Sequence, residues 1–192
     1  PDLDAPLAFT DPGLEAAVRA ALDKPQGALY IGDVCAPAFT ELQAADREIS
    51  DLEGLEHCRY LTTLDLSGND IADLAPLAAL HRLRDLNLGR NLIEDVSALA
   101  NLHDLEFLEL GVLFILYWFN PALTNQNSLD DLAPLASLRR LFYLGLTDTD
   151  LEEEALTPLA IMDALWAIAL GRNPGVDLAP LADMDNLMVL IN

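Results

Sequence analysis

The side chains best suited to chemistry in this chain are three histidines. His81 and His103 lie 22 residues apart, and His57 precedes both. Two imidazoles stacked in this way would bind a transition metal weakly, but no third ligand has a matching spacing. We therefore interpret the pair as solvated side chains, and the sequence predicts no metal site and no cofactor.

Motifs for catalysis are absent from the sequence. It contains no GxSxG, no Walker loop, no HExxH and no CxxC. Asp and Glu together number 32, so pairs of carboxylates are too common for any one pair to indicate acid–base catalysis. The sequence therefore predicts a protein without enzymatic activity.

The two cysteines, Cys35 and Cys58, have two interpretations. Cys58 shares its spacing with Leu80 and Leu102, so it is expected to be a buried thiol that packs as a small apolar side chain. The alternative is a disulfide between the two residues, as in secreted proteins. Spacing favours the buried thiol.

These residues are positioned by an internal repeat of 22 residues, seen most clearly from Leu61 to Arg82. Each key residue recurs one period later without change: Leu61, Leu64, Leu66, Asn69, Ile71, Asp73, Leu77 and Leu80 become Leu83, Leu86, Leu88, Asn91, Ile93, Asp95, Leu99 and Leu102. L-x-x-L-x-L-x-x-N-x-I is the pattern of a leucine-rich repeat. One such unit cannot bury its leucines alone, so neighbouring units must stack.

Each position in the repeat has a predicted structural role. Alternation from Thr63 to Ser67 predicts a short strand with leucines inward, and stacking places these strands in one parallel sheet. Asn69 and its equivalents are expected to bond backbone groups of adjacent turns. The aspartate column is expected to cap the following helical turns rather than to bind calcium. Its members are Asp51, Asp73, Asp95, Asp131 and Asp177.

The chain divides into a cap and a repeat array. We expect a leader and N-terminal helical cap over residues 1–38, with Asp11 or Thr10 starting a helix and a second short helix near residues 32–38. About six leucine-rich repeats are expected over 39–192, with an apolar insertion near 111–124. The fold class is thus an α/β solenoid with a concave parallel sheet and a 3₁₀ or irregular convex side. Because the array stops within a strand, the native protein is expected to continue further.

Composition limits the kinds of partner. Net charge is −22, with Lys+Arg 10 against Asp+Glu 32, which argues against nucleic acid and anionic membranes. A basic protein partner, solubility and adaptation to high salt are all compatible with this charge. No apolar run is long enough for a transmembrane helix.

Three stretches resemble a known family. DLAPLAAL on the return side of the repeat, the helical segment DPGLEAAVRAAL and the bridge ISDLEGLEHCRYLTTLDLSGNDI resemble bacterial internalin-type leucine-rich repeats. The related class of similar period found in phosphatase-regulator proteins looks similar too. The resemblance covers about residues 10–192 and implies a right-handed solenoid that recognises proteins through its concave face.

Outward positions on the strands are the candidate partner-binding residues. The first half of this surface is acidic and polar, and the second half, which includes Ala167, Ala169, Val189 and Ile191, is aromatic and apolar. Interfaces combine an aromatic centre with a polar rim, so we place the centre at Phe107 and Tyr143. Asp65, Asp85 and Glu109 are expected to select a basic partner, whereas Trp166 is expected to pack at the strand edge. The other interpretation is that all are ordinary solvated residues.

The insertion contributes the remaining candidates. Residues 112–119 are a continuous apolar and aromatic run, and partner contacts are predicted for Phe114, Tyr117, Trp118 and Phe119. Three interpretations stay open: the run extends the core, it binds a protein or a second copy of the chain, or it dips into a membrane. The membrane interpretation is the least favoured.

The sequence predicts a non-enzymatic module that binds a protein partner through the concave face and the 111–124 loop. An intracellular inhibitor of a basic or nucleic-acid-binding protein is one alternative, and a self-associating structural module is another. Location stays open, with the extracellular space or cell surface slightly favoured over the cytoplasm.

Overall fold

The structure, a computed structural model, describes residues 2–113, 120 and 122–191. Its N-terminal unit has strand β1 (Pro6–Leu7) paired antiparallel with β2 (Leu29–Tyr30), and helices α1 (Pro12–Ala21) and α2 (Ile31–Val34). The carboxylate of Asp11 caps α1 by accepting the N–H groups of Gly13 and Leu14 at 2.9 and 3.0 Å. Because α1 buries Leu14 and Val18 in the same core as the first coil, it covers that end of the array.

Seven short strands then form one parallel sheet in chain order. They are β3 Glu41–Gln43, β4 Thr63–Asp65, β5 Asp85–Asn87, β6 Phe107–Glu109, β7 Tyr143–Gly145, β8 Ala167–Ala169 and β9 Met188–Leu190. The central residues pair in register, so Leu64, Leu86 and Leu108 lie side by side and are almost completely buried. The predicted leucine-rich-repeat fold, with equal positions stacked in columns, is confirmed.

The strand register shows that the coils differ in length. Leu42, Leu64, Leu86 and Leu108 are successive register partners at the period of the regular repeat. The next partner of Leu108 is Leu144, so the coil between them is much longer and contains the insertion. The coil that follows is slightly longer than the regular period, and the last, which ends at Val189, is slightly shorter.

This last register differs from the regular spacing expected from the sequence. Val189 lies in the inward column and packs against the core, so Met188 and Leu190 take the outward positions predicted for Val189 and Ile191. A shift of one residue exchanges the two faces of a strand. Among the described residues β9 pairs with β8 alone, so its register is held from one side only.

A column of asparagines holds the turns that follow the strands. Asn69 donates to the carbonyls of Ala44 and Leu66 at 2.9 and 2.8 Å and accepts the N–H groups of Arg47 and Ile49 at 3.0 Å. Asn91, Asn127 and Asn173 make equivalent bonds. Each side chain therefore satisfies backbone groups that would otherwise be buried without partners.

The convex side consists of short 3₁₀ helices. They span Leu55–His57, Ala75–Ala79, Ser97–Asn101, Ala133–Ser137, Thr157–Ile161 and Ala179–Leu181. Asp73 accepts the N–H of Ala75 at 2.8 Å, although the N-cap residue itself is Leu74. Asp95, Asp131 and Asp177 make the same Asx turn one residue before the cap, whereas Asp51 accepts the N–H of Glu53 three residues before the cap residue Gly54. These turns differ in detail from the predicted N-caps.

Both cysteines are free thiols, with Cys35 partly buried and Cys58 in the core. Burial raises the pKa of the Cys58 thiol, so it stays protonated and packs as the predicted small apolar side chain. None of the helices in the described residues is long and apolar enough to cross a membrane.

Candidate binding surface

Two columns of side chains form the sheet face that points away from the core. The first outward column is the first residue of each strand: Glu41, Thr63, Asp85, Phe107, Tyr143, Ala167 and Met188. The second outward column is the third residue of each strand: Gln43, Asp65, Asn87, Glu109, Gly145, Ala169 and Leu190. The central residues of the strands point inward, so these columns hold the candidate binding residues of the sheet.

The first three coils present a polar surface. Glu41, Gln43 and Asp85 are exposed, and no residue in the described part of the chain pairs with the Asp85 carboxylate. Asp65 is half-buried, and its carboxylate accepts the N–H and the hydroxyl of Ser67 at 3.0 and 2.7 Å. Asp85 is therefore the more available of the two aspartates predicted to meet a partner.

Phe107 and Tyr143 meet across the strand pair β6–β7, although the whole insertion separates them in the chain. Their ring centroids are 4.4 Å apart and their planes differ by 7°, so the rings stack face to face. Both side chains are half-buried and leave part of their surface accessible. The structure therefore brings together the two residues predicted to form the centre of the binding surface.

Glu109 lies beneath this stack and is 1% exposed. Its carboxylate accepts the Tyr143 hydroxyl at 3.0 Å and the Gly111 N–H at 2.9 Å. The space for it exists because Gly145, its register partner, has no side chain, and a Cβ there would collide with the carboxylate. Because Tyr143 covers it and Gly145 leaves room for it, Glu109 offers almost no surface to a partner, and the direct contact expected from the sequence stays a prediction.

Burial also changes the acidity of this pair. Desolvation raises the pKa of Glu109 to about 7, although the bonds from Gly111 and Tyr143 favour the ionised form. Desolvation likewise raises the pKa of Tyr143, and the nearby Glu109 charge adds to this effect. Tyr143 therefore remains a hydrogen-bond donor, while Glu109 changes charge near neutral pH.

The second half of the outward face is less open than the sequence suggests. Ala167 and Ala169 are 3% and 0% exposed, and Thr147 is also buried. The Thr147 hydroxyl oxygen has no hydrogen-bond partner among the described residues. These short side chains add little accessible area, so the apolar surface predicted at Ala167 and Ala169 is not present.

A second pair of stacked aromatic rings, more exposed than Phe107 and Tyr143, lies at the amino-terminal ends of two neighbouring strands. Phe142 and Trp166 are 50% and 44% exposed, and their rings stack with centroids 5.1 Å apart and planes within 6°. They immediately precede β7 and β8. The sequence predicted that Trp166 packs at the strand edge but did not predict its stacking on Phe142, although the two aromatics occupy one position in consecutive repeats.

Two of the three histidines lie in one surface depression. His81 and His103 line it together with Asn101 and Asp104, and both imidazoles are exposed. Within residues 2–113, 120 and 122–191, no group of three or more His, Cys, Asp or Glu side chains has an arrangement that fits a metal ion.

Four predicted site residues lie outside the described part of the chain. They are Phe114, Tyr117, Trp118 and Phe119 of the insertion. Their contribution to binding stays a prediction. On the C-terminal side of the insertion, Asn125 accepts the N–H of Arg90 at 2.7 Å and donates to the Leu110 carbonyl at 3.1 Å. These bonds attach the chain after the insertion to the coils before it.

Comparison with known proteins agrees with the repeat pattern. A family model described as leucine-rich repeats, two copies, matches residues 60–101. No match was found among curated proteins.

Solved structures extend this similarity over most of the chain. The internalin inlF of Listeria monocytogenes is 28% identical with a TM-score of 0.68, and the match covers 95% of this chain and 56% of inlF. Internalin C2 of the same organism is 26% identical with a TM-score of 0.53, and 98% of each chain is covered. A leucine-rich-repeat protein of Leptospira interrogans, at 19% identity and a TM-score of 0.60, covers 79% of this chain and 37% of its own and shares the fold.

Proposed function

We propose that this chain, a bacterial internalin-type leucine-rich-repeat protein, binds a protein partner through the outward face of its sheet. The repeat family and the internalin structures support a protein-interaction module in general. The observation that supports this face is the accessible Phe107–Tyr143 stack, which adjoins three strands that carry exposed polar and acidic side chains.

The stack has the properties of a binding centre. Aromatic rings bury large areas at a low cost in side-chain entropy, and interfaces concentrate their binding energy in such residues. Glu109 fixes the Tyr143 hydroxyl from below, so the ring is held before a partner arrives. A preorganised side chain loses less entropy on binding, which favours affinity.

Charge supports a basic partner. Glu41 and Asp85 are exposed on the face beside the stack, and the whole chain has a net charge of −22. Carboxylates at the rim of an interface raise association rates with basic proteins and exclude acidic ones. The sequence predicted that Asp65, Asp85 and Glu109 select a basic partner. Among these three, we assign this selection to Asp85.

No catalytic role forms part of this proposal. The buried carboxyl of Glu109 bonds to the Tyr143 hydroxyl and the Gly111 N–H, and all three groups serve to hold the aromatic stack. A contribution from the 111–124 loop and self-association through it stay separate predictions, and deletion of residues 112–119 would measure both.

The test uses random peptides displayed on phage, selected against the whole chain and then synthesised. Phe107→Thr should raise the Kd of the selected peptides at least tenfold, since a central aromatic contributes about 2 kcal/mol or more. Thr63 occupies the equivalent position in a well-formed coil, so threonine is compatible with the strand. Isothermal titration calorimetry would measure the affinities, and circular dichroism would confirm that the variant is folded.

Leu92→Thr is the matched control, because Leu92 is 40% exposed but lies on the turn that follows the strand. Its affinity should equal that of the wild type. Asp85→Asn should slow association with basic peptides, and the effect should diminish as salt is added. Equal peptide affinities for wild type and Phe107→Thr would contradict the proposal.

A further inference from the structure

The position immediately before each strand changes character along the array. We call this position the rim column, and its members before β4 to β8 are Thr62, Arg84, Glu106, Phe142 and Trp166. Backbone bonds connect them, since Arg84 donates its N–H to the Thr62 carbonyl at 2.8 Å and Trp166 donates to the Phe142 carbonyl at 2.9 Å. The first three members are polar, and the last two are the stacked aromatic pair.

The polar members show that the fold does not need an aromatic side chain in the rim column. Coils with Thr62 and Arg84 in the rim column bury the same leucine core as coils with aromatics there. Packing of the solenoid therefore does not require Phe142 or Trp166. About half of each side chain remains in contact with solvent, and this exposure is unfavourable for an isolated protein.

The exposed apolar surface continues to the next strand. Met188 donates its N–H to the Trp166 carbonyl at 2.7 Å, and its side chain is 44% exposed. Tyr143, which follows Phe142 in the chain, belongs to the first outward column, so the rim pair adjoins the Phe107–Tyr143 stack. Exposed apolar side chains on three successive strands are typical of a contact surface for a protein.

The charges near Trp166 indicate the sign of the partner. A surface pocket between the last two coils is lined by Leu165 and Leu187 and by the carboxylates of Asp163, Asp183 and Asp185. Leu165 directly precedes Trp166, so the pocket lies beside the aromatic end of the rim column. Aspartates that line a pocket at this end of the rim column favour lysine or arginine, and such a cation also binds an exposed indole by cation–π attraction.

We infer that the Phe142–Trp166 rim pair is a second contact element for a basic polypeptide that presents an apolar side chain next to lysine or arginine. This inference rests on the proposed function. It extends the binding surface from the outward columns to the amino-terminal ends of the strands. The partner's apolar side chain covers the exposed rings, and its cation lies near Asp163, Asp183 and Asp185.

The experiment uses the same phage-selected peptides on the full chain. They should be enriched in lysine or arginine and in large apolar residues. The double variant Phe142→Thr with Trp166→Thr should raise their Kd at least tenfold, and Leu92→Thr should leave it unchanged. Because Thr62 occupies the rim column of a complete coil, the double variant should keep its melting temperature within a few degrees.

A second variant tests the rim by adding a positive charge instead of removing both rings. Trp166→Arg places at the rim the residue type found at Arg84, and it should repel basic peptides while the chain stays folded. Loss of affinity in both rim variants supports the inference. Unchanged affinity in both would overturn it.

The outcomes separate this inference from the proposed function. If Phe107→Thr weakens binding and the rim variants do not, the proposed function stands and the rim inference falls. If only the rim variants weaken binding, the rim stands and the role of the Phe107–Tyr143 stack falls. Selection of acidic peptides would overturn the assigned partner. A wild-type dimer that the rim variants convert to a monomer in light scattering would assign the rim to a second copy instead.

Discussion

The coils before the insertion and the coils after it share one core but present different surfaces. Leu64 and Leu86 before the insertion, and Leu144 and Ile168 after it, are all almost completely buried in the same column. Outside the core, β3 to β5 present acidic and polar side chains and the coils after the insertion present aromatic and small ones, while Phe107 on β6 stacks on Tyr143 across the boundary. Stacking requires apolar side chains in the inward column, whereas the outward positions differ from coil to coil.

The variants with the largest expected effect test whether the coils before and after the insertion share one core. Leu86→Ala and Leu144→Ala each remove a fully buried side chain, so each should lower the free energy of unfolding by about 2–5 kcal/mol. Equilibrium denaturation in urea, followed by circular dichroism, would measure both. Both losses should fall within this range, whose width reflects how far each site can relax around the cavity.

Thr63→Ala is the control, since Thr63 lies in the first outward column of a neighbouring coil and is half-exposed. It should change stability by less than about 0.5 kcal/mol. A loss for Leu144→Ala near zero would show that the coils after the insertion are not part of the common core.

The next effect concerns Glu109, which lies where the two groups meet. Its pKa is raised to about 7 in the folded chain, so the folded state binds this proton more tightly than the unfolded state does. The protonated form therefore stabilises the fold fully below the ordinary glutamate pKa, and this contribution is lost as pH rises through about 7. The difference between this pKa and the ordinary glutamate value of 4.5 corresponds to about 3 kcal/mol of stability.

Glu109→Gln keeps an acceptor for Gly111 and Tyr143 but cannot ionise. The difference in unfolding free energy, variant minus wild type, should grow by about 3 kcal/mol between pH 4 and pH 8. Other carboxylates titrate in both proteins and cancel in this difference. A difference that stays constant with pH would place the Glu109 carboxyl in water rather than beneath Tyr143.

The smallest effect concerns the turn side of the coils before the insertion. Arg90 donates to the Asp46 carboxylate at 2.8 Å across the coil of Gly68, whose missing side chain leaves room for the guanidinium. Asp46 is 66% exposed, so Arg90→Ala should lower stability by less than about 1 kcal/mol. Thermal denaturation at low and high salt would measure this loss, which should diminish with salt. A loss many times larger, at either salt concentration, would contradict it.

Sequence periodicity was sufficient to predict the stacked coils. The repeat of Leu64 at Leu86 places both in one column, and the asparagine position implies the bonds that Asn69 makes to the flanking turns. Phe107 and Tyr143 were predicted to share a surface once the insertion was taken into account, and they stack. Periodic positions are predictable because stacking imposes the same environment on each of them.

Features that depend on a particular neighbour were not predictable in this way. Glu109 alternates outward as expected, but the glycine in the next strand and the tyrosine above it bury its carboxyl. Trp166 and Phe142 both lie just before their strands, where they stack on each other and stay exposed. The last coil is one residue shorter than the regular period, which moves Val189 into the inward column. Contacts with one particular neighbour leave no periodic signal in the sequence.

The most direct test of the account is side-chain protection in the complex with a selected peptide. Hydroxyl-radical footprinting of the free and the peptide-bound chain would report the solvent exposure of each aromatic ring. If the partner binds as proposed, the rings of Phe107, Tyr143, Phe142 and Trp166 become protected while Leu92 is unchanged. Protection at Leu92 and on the convex side, with these four rings unchanged, would contradict it.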